Sequence, residues 1–355
     1  MKVCVHCFND LELKQFIISN SVEKGRCDSC SDGLVSELLD IKELLDFFAE
    51  IIKIYKIVDK GIPLVELIQH DWNLFSDKSD CQKVLRNIIS TLKTEITDPL
   101  INVNYIDEIT ECTSYWEALK EEIKWKKRFL TNIVKLEDLG WHRFFKRTVI
   151  LNSSKPLFRA RLHYSGDQKL FNKTDMGCPE GIKASAGRAN PQGIPYLYLS
   201  EKIETTLYEI RAAYLDEVSV GEFKIKDGYE IILVDFTEST SAFLNVDDII
   251  EYTKSMLLKK FISADLSIPI RRYDSEIEYI PTQFICEFIR HYSGIPPDFK
   301  IHPDGILFNS SLHNGGKNIV LFEQTKVECI SVAMHRVTKV EIKSKSINIK
   351  KKIHN

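Results

Sequence analysis

The 355-residue chain carries 48 Lys and Arg against 51 Asp and Glu, so its formal net charge is −3. This near-neutral balance gives no electrostatic reason to expect sequence-independent binding to nucleic acid. No apolar run approaches the roughly 18–20 residues of a membrane span. The N-terminal residues, beginning with Met1-Lys2-Val3-Cys4, show no apolar segment typical of a signal peptide. With 44% hydrophobic and 28% charged residues, the composition predicts a cytoplasmic, globular protein of two or three domains.

The first candidate site is a pair of C-x2-C motifs formed by Cys4, Cys7, Cys27 and Cys30. Two thiolates on a tight turn can reach one tetrahedral metal ion, and the second motif completes its coordination. A disulfide is the weaker explanation in a reducing compartment. Because four thiolates leave no open coordination position, the spacing predicts a structural Zn²⁺ site in a segment at residues 1–33.

The next region, residues 34–149, is predicted to be a helical domain because it is poor in glycine and proline. Apolar residues recur there at helical spacing. The predicted helices cover residues 34–58, 63–71, 79–92 and 114–136. An RNase site in a domain of this kind would need an arginine followed by a histidine a few residues later, and the region has no such pair. We therefore interpret it as a regulatory or interaction domain.

From residue 150 onward the pattern changes to alternating strands and helices with many turn residues. It predicts an α+β fold with a mixed, mostly antiparallel sheet in a domain at 150–336, followed by a basic extension at 337–355. Asp227-Gly228 is predicted to turn a hairpin, and Gly315-Gly316 to lie between two closing strands. The predicted strands are 157–162, 196–199, 221–225, 229–236, 304–311 and 318–322. The predicted helices are 205–215, 247–261 and 281–292.

Three polar residues of this second half are spaced so that one cleft could gather them. Arg188 lies in a loop rich in glycine and proline, Tyr198 in the following strand, and Glu209 on the next helix. An arginine can bind phosphate oxygens in bidentate fashion, a tyrosine offers an aromatic face, and a carboxylate can bind ribose hydroxyls. The trio suits a nicotinamide dinucleotide. The alternative is structural: a solvated Glu209, a core Tyr198 and an ordinary loop Arg188.

Five short motifs in a fixed order resemble the RES domain over about residues 150–330. They are Phe158-Arg159-Ala160, Gly187-Arg188-x-Asn190-Pro191, Tyr198, Glu204-x-x-Leu207-x-Glu209 and Asp304-Gly305-Ile306-x-Phe308-x-Ser310. The RES family is similar in fold to ADP-ribosyltransferases, and its toxin members consume NAD⁺. Residues 1–149 resemble the zinc-containing helical domain, of the HEPN/RES type, that precedes some RES domains.

The resemblance implies a catalytic set of Arg188, Tyr198, Glu209 and Ser310, with Arg159 joining Arg188 and Tyr198 in binding NAD⁺. Ser310 is chosen over its neighbour Ser311 on the family pattern alone. The implied activity is that of an NAD⁺ glycohydrolase or phosphorylase, acting as a toxin or antiphage defence effector.

Two other functions stay open at this point. One is an ADP-ribosyltransferase that modifies a protein or another macromolecule, and the other is a zinc-stapled scaffold that binds nucleotide without turnover. The implied partners are NAD⁺ and an antitoxin or activating protein; a homo-oligomer is left open, and nucleic acid and membrane are not expected. Because an enzyme that drains NAD⁺ endangers its own cell, we expect the N-terminal region to restrain it. Residues 150–355 alone should then be at least as toxic as the full chain.

Overall fold

The computed structural model describes residues 1–30, 33–141, 148–153, 155–164, 169–237, 241–269, 276–292, 302–341 and 344. Their fold is α+β, as predicted, with a largely antiparallel sheet in the C-terminal half and a cysteine cluster at the N-terminus. Most of the basic extension predicted at 337–355 lies outside the described residues. None of the described helices is both long and apolar enough to span a bilayer.

The N-terminal segment is a small antiparallel sheet with one helix on it. The sheet has the order β1-β3-β2, built from β1 (Lys2–Cys4), β2 (Glu23–Arg26) and β3 (Val35–Asp40). Helix α1 (Leu11–Asn20) begins after Asp10, whose side chain accepts hydrogen bonds from the N–H groups of Glu12 and Leu13. These bonds satisfy two of the free donors at the start of the helix.

The following region is helical, with one two-stranded antiparallel sheet. Its elements are α2 (Leu45–Lys53), β4 (Tyr55–Pro63), α3 (Leu64–Trp72), α4 (Cys81–Leu92), β5 (Asn102–Tyr105), α5 (Asp107–Trp125) and α6 (Ile133–Asp138). The second and third predicted helices are confirmed as α3 and α4. The prediction of one helix over 34–58 is wrong, because it begins as strand β3 and ends in strand β4. The long helix predicted at 114–136 is α5, which starts earlier and ends at Trp125.

The C-terminal half is built on an eight-stranded sheet with the order β13-β9-β7-β8-β12-β11-β10-β6. Among its described neighbour pairs, only β10 and β11 run parallel. Strands β7 and β8 pair at a single position, Phe158 opposite Ser200. The strands are β6 (Thr148–Leu151), β7 (Leu157–Leu162), β8 (Leu197–Ser200), β9 (Glu217–Ile225), β10 (Ile231–Asp235), β11 (Gly305–Asn309), β12 (Lys317–Leu321) and β13 (Val327–Arg336).

Two turn predictions had different outcomes. Strands β11 and β12 form an antiparallel hairpin around Gly315, whose φ of 72° suits glycine. Asp227-Gly228 does turn the chain, with a φ of 82° at Gly228, but it makes no hairpin. Strand β9 pairs with β7 and β13, whereas β10 pairs with β6 and β11, so the two strands joined by this turn are not neighbours.

Three helices of this half complete the fold: α7 (Ile203–Glu209), α8 (Ile249–Leu266) and α9 (Ile280–Tyr292). The helix predicted at 205–215 is shorter than expected and ends at Glu209. The reason is the backbone beyond it, where Arg211 and Leu215 have φ values of 52° and 70°. Such left-handed conformations are incompatible with a continuing right-handed helix.

The hydrophobic core crosses residue 150. Trp116, Leu119 and Ile123 of helix α5 belong to the same buried cluster as side chains of α8, α9 and the large sheet. Another cluster joins the N-terminal helices to Ile249 and Leu257 of α8. The division into domains at 34–149 and 150–336 therefore stays a prediction, since the two parts share apolar contacts that each would expose alone.

Candidate active site and metal centre

The carboxylate of Glu209 is anchored at the C-terminal end of α7. Its Oε1 atom accepts a hydrogen bond of 2.6 Å from Ser310 Oγ and another of 2.6 Å from Asn318 Nδ2. Ser310 directly follows β11 and Asn318 lies in the paired strand β12, so the hairpin delivers both donors. Glu209 is half-buried. It is therefore held in a fixed orientation and is not the freely solvated helical glutamate of the alternative interpretation.

Ser310 has its hydroxyl group oriented by the loop that follows it. Ser310 Oγ accepts hydrogen bonds from the N–H groups of Leu312 and His313, at 3.2 and 3.0 Å. With these donors in place, its own proton points to Glu209. His313 packs flat on Tyr208, with 4.8 Å between ring centroids, and its Nδ1 lies 2.8 Å from Thr205 Oγ1. The loop is thus docked on α7, and Ser310 acts as a donor to Glu209.

Arg188 lies in a separate loop, before β8, and reaches Ser311, the residue next to Ser310. Its Nη2 donates to Ser311 Oγ at 3.2 Å, and its Nη1 donates to the backbone oxygen of Leu266 at 3.0 Å. Burial lowers the pKa of Arg188, while the nearby Tyr279 and Glu209 oppose that shift. The consecutive serines therefore have separate partners: Ser310 holds Glu209 and Ser311 holds Arg188. This brings the predicted arginine, glutamate and serine together.

The backbone around Arg188 is fixed by the first turn of α9. Thr282 Oγ1 donates to the carbonyl oxygen of Arg188 at 2.5 Å, and Gln283 Nε2 donates to that of Gly187 at 2.8 Å. A Cβ atom on Gly187 would lie 2.7 Å from Tyr198 Oη and 2.7 Å from Asn190 Oδ1. Because that distance is below van der Waals contact, a side chain at this position would displace the hydrogen-bonded pair of Tyr198 and Asn190.

Tyr198 supports the same loop from strand β8. Its hydroxyl group donates to Asn190 Oδ1 at 2.7 Å and accepts from the N–H of Ala189 at 3.1 Å. Burial raises the pKa of Tyr198 above its ordinary value. Its hydroxyl group is therefore committed to shaping the arginine loop, which differs from the exposed stacking platform expected from the sequence.

Arg159 of strand β7 is a half-buried cation with spare hydrogen-bonding capacity. Its Nη1 atom is buried and has no hydrogen-bond partner among the described residues. Burial, together with the like charge of Arg161, lowers the pKa of Arg159 to about 10. Cys178 and Tyr198 oppose this shift, which places the guanidinium within electrostatic range of the Tyr198 side chain. A buried N–H group without a partner is costly unless an acceptor, such as an anion, satisfies it.

Two residues of this site were missed by sequence reasoning. Asn318, besides binding Glu209, accepts a hydrogen bond of 2.8 Å from Ser200 Oγ, and both side chains are buried. Ser200 is also the residue of β8 that pairs with Phe158 of β7, so the Ser200–Asn318 pair lies where these two strands meet. The available signal was Asn318 itself, the first residue of a predicted strand that is otherwise apolar. Asparagine is uncommon in strands.

The N-terminal cysteines form a cluster of the size that a metal ion requires. The Sγ atom of Cys7 lies 3.4 Å from the Sγ atoms of Cys27 and Cys30. The Sγ atom of Cys4 lies 3.6 Å from that of Cys30. All four sulfur atoms lie within 4.8 Å of one another. Tetrahedral coordination with metal–sulfur bonds of about 2.3 Å would separate the sulfur atoms by about 3.8 Å. The four residues therefore fit one tetrahedral metal ion.

A sheet-based domain that brings a carboxylate, a serine and an arginine together is the arrangement implied by the five motifs. Residues 156–341 match the family model of the RES domain, which is more than half of the chain. The chain therefore belongs to the RES domain family. The match does not include the N-terminal region, so its resemblance to HEPN/RES-type domains rests on the residues and the cysteine cluster. Comparisons with curated proteins and with solved structures gave no significant match.

Proposed function

We propose that the protein is an NAD⁺-consuming enzyme that cleaves the bond between nicotinamide and ribose. The observation that carries this proposal is the anchored carboxylate of Glu209. Both of its hydrogen bonds fall on Oε1, and the described residues give Oε2 no hydrogen-bond partner. Oε2 is thus available to face a ribose. The family is usually linked to NAD-related toxin activity, which supports the same assignment.

Cleavage of the bond between nicotinamide and ribose requires a fixed negative charge beside the ribose more than it requires a general acid. When the C–N bond breaks, its electron pair leaves with nicotinamide, which departs as a neutral ring and needs no proton. The ribose carbon becomes oxocarbenium-like, as in glycoside hydrolysis. A carboxylate held beside that carbon stabilises the developing positive charge more than the ground state. Water or phosphate then bonds to the same carbon, and the proton lost by water goes to solvent.

We assign phosphate binding to Arg188 and Arg159. Arg188 uses two of its five N–H donors on Leu266 and Ser311, which leaves donors for a phosphate oxygen. Arg159 has a buried Nη1 without a partner. Tyr198 contributes by holding the loop that carries Arg188, through its bonds to Asn190 and Ala189.

Product analysis after incubation with NAD⁺ tests this proposal. Free nicotinamide with ADP-ribose supports hydrolysis, nicotinamide with ADP-ribose phosphate supports phosphorolysis, and labelled macromolecule supports transfer. NAD⁺ that binds but stays intact would favour the nucleotide-binding scaffold instead. The matched control is Glu204→Gln, which removes an exposed carboxylate from the same helix. Equal loss of nicotinamide release in Glu204→Gln and Glu209→Gln would contradict the assignment of Glu209.

We further propose that the cysteine cluster binds structural Zn²⁺, because four thiolates leave no coordination position for a substrate. A segment of about 30 residues cannot build an adequate core alone, so metal binding should supply its folding energy. One zinc per chain should copurify under reducing conditions, as measured by elemental analysis. Protein that is folded without metal would contradict this. The proposed domain bounds are residues 1–33, 34–149, 150–336 and 337–355. We propose that the whole protein acts as a toxin or defence effector in the cytoplasm.

A further inference from the structure

The C-terminal end of helix α8 makes a direct contact with the arginine of the site. The backbone oxygen of Leu266, the last residue of α8, accepts the 3.0 Å hydrogen bond from Arg188 Nη1. Carbonyl groups in the last turn of a helix have no partner within the helix, and they carry its partial negative charge. A guanidinium is a suitable partner for such a group. The position of this helix end therefore helps to decide where Arg188 points.

The residue directly before Leu266 is tied to the N-terminal region. Asp265 Oδ2 accepts a hydrogen bond of 2.7 Å from Trp116 Nε1 and another of 3.0 Å from Lys120 Nζ. Both donors belong to helix α5, which precedes the part of the chain that matches the RES family. The side chains of Lys120 and Asp265 are only 15% and 17% exposed, so solvent screens their ion pair weakly.

The charges at this contact are compatible with a permanent link. Burial lowers the pKa of Lys120, but its bonds to Asp265 and Glu117 outweigh that effect and raise the pKa overall. Lys120 is therefore charged throughout the physiological pH range. A second link lies nearer the start of α8, where the buried Lys254 contacts Glu108 of α5. Helix α8 is thus held along its length by α5.

We propose that Asp265 is a positioning residue through which helix α5 sets the affinity of the site for NAD⁺. Trp116 and Lys120 hold Asp265, the adjacent Leu266 carbonyl is fixed with it, and that carbonyl aims Arg188 at the substrate phosphate. Consecutive Cα atoms are only 3.8 Å apart, so the two residues move together. This inference rests on the proposed function. It assigns the N-terminal region a part in completing the NAD⁺ site.

The effect should fall on binding more than on bond cleavage. Arg188 keeps its charge and its bond to Ser311 when Asp265 is released, so only part of its orientation is lost. Glu209 is held by Ser310 and Asn318, whose hydrogen bonds to its carboxylate do not involve α5. A hydrogen bond to a charged group corresponds to roughly tenfold or more in an equilibrium constant. We therefore expect KM for NAD⁺ to rise about five- to tenfold while kcat stays within about twofold.

Kinetics of four full-length variants test the link. Trp116→Phe removes the indole N–H and keeps an aromatic ring, whereas Lys120→Met removes the charge and keeps an unbranched side chain. Lys120→Arg keeps the charge and should behave as the wild type. Trp125→Phe is the matched control, because this tryptophan lies on the same helix and is 61% exposed. A fall in kcat with unchanged KM in Trp116→Phe and Lys120→Met would overturn the proposal.

Hydrogen–deuterium exchange gives a readout that needs no NAD⁺. Amides of residues 185–191 should exchange faster in Lys120→Met and Trp116→Phe than in Trp125→Phe, since the arginine loop loses one of its supports. Unchanged exchange in both variants would refute the positioning role even if their KM for NAD⁺ is raised. If the wild-type protein neither binds nor cleaves NAD⁺, the proposed function fails, and the exchange experiment still decides whether α5 controls the loop.

Discussion

Replacing Glu209 by glutamine is the sharpest perturbation of the site, because the geometry limits what changes. The glutamine Oε1 can still accept the bonds from Ser310 and Asn318, each 2.6 Å long in the wild type. The chain should therefore fold normally. What disappears is the negative charge that would face the oxocarbenium-like carbon. One preorganised electrostatic contact of this kind is worth about 3 kcal/mol, which corresponds to about 100-fold in kcat.

The assay is the release of nicotinamide from NAD⁺ under saturating conditions, followed chromatographically for Glu209→Gln, Glu204→Gln and the wild type. The melting temperature of each variant shows that the comparison is between folded proteins. We expect NAD⁺ binding to change little, since the phosphate contacts are untouched. Turnover by Glu209→Gln within about threefold of the wild type, far from the expected 100-fold loss, would show that the catalytic carboxylate lies elsewhere.

Three other predictions follow from the same structure. Arg188→Lys should weaken NAD⁺ binding by about tenfold or more in a calorimetric titration, because lysine keeps the charge but cannot copy the bidentate phosphate contact; unchanged affinity would remove Arg188 from the site. Asn318→Ala should lower kcat by about tenfold, since Glu209 loses one of two donors to its charged oxygen; a lowered melting temperature with normal kcat would make Asn318 structural. Residues 150–355 expressed alone should be insoluble and inert, because they lack Trp116 and its apolar neighbours. A soluble, toxic fragment would instead support the restraint expected from the sequence.

The sequence predicted those parts of the fold that depend on local pattern. Strand β7 was predicted at its observed limits, since the apolar residues at 158, 160 and 162 alternate with Arg159 and Arg161. The cysteine spacing likewise predicted a cluster that the structure forms. Residues 34–58 were misassigned because apolar residues in a continuous run satisfy helical and strand periods alike. The pairing of β3 with β1 and of β4 with β5, which no local pattern records, decided the outcome.

The sequence predicted which residues form the candidate site but not the hydrogen bonds that join them. Arg188, Glu209 and Ser310 are gathered by strand order and by the β11–β12 hairpin, which join residues more than a hundred positions apart. The role of Tyr198 as a loop support depends on its contact with Asn190, which spacing does not reveal. The link from Trp116 to Asp265 crosses the predicted domain boundary, so a domain-by-domain interpretation of the sequence could not find it.

The consecutive serines that follow β11 have a consequence for control of the proposed activity. One turn of backbone supports the carboxylate through Ser310 and the guanidinium through Ser311. A shift of that turn by about 1 Å would misalign both charged groups together, and misplacement on this scale can cost about 100-fold in rate. An inhibitory protein would therefore not need to occupy the proposed NAD⁺ site. We expect a partner that displaces this turn, where His313 packs on Tyr208, to disturb both charged groups at once.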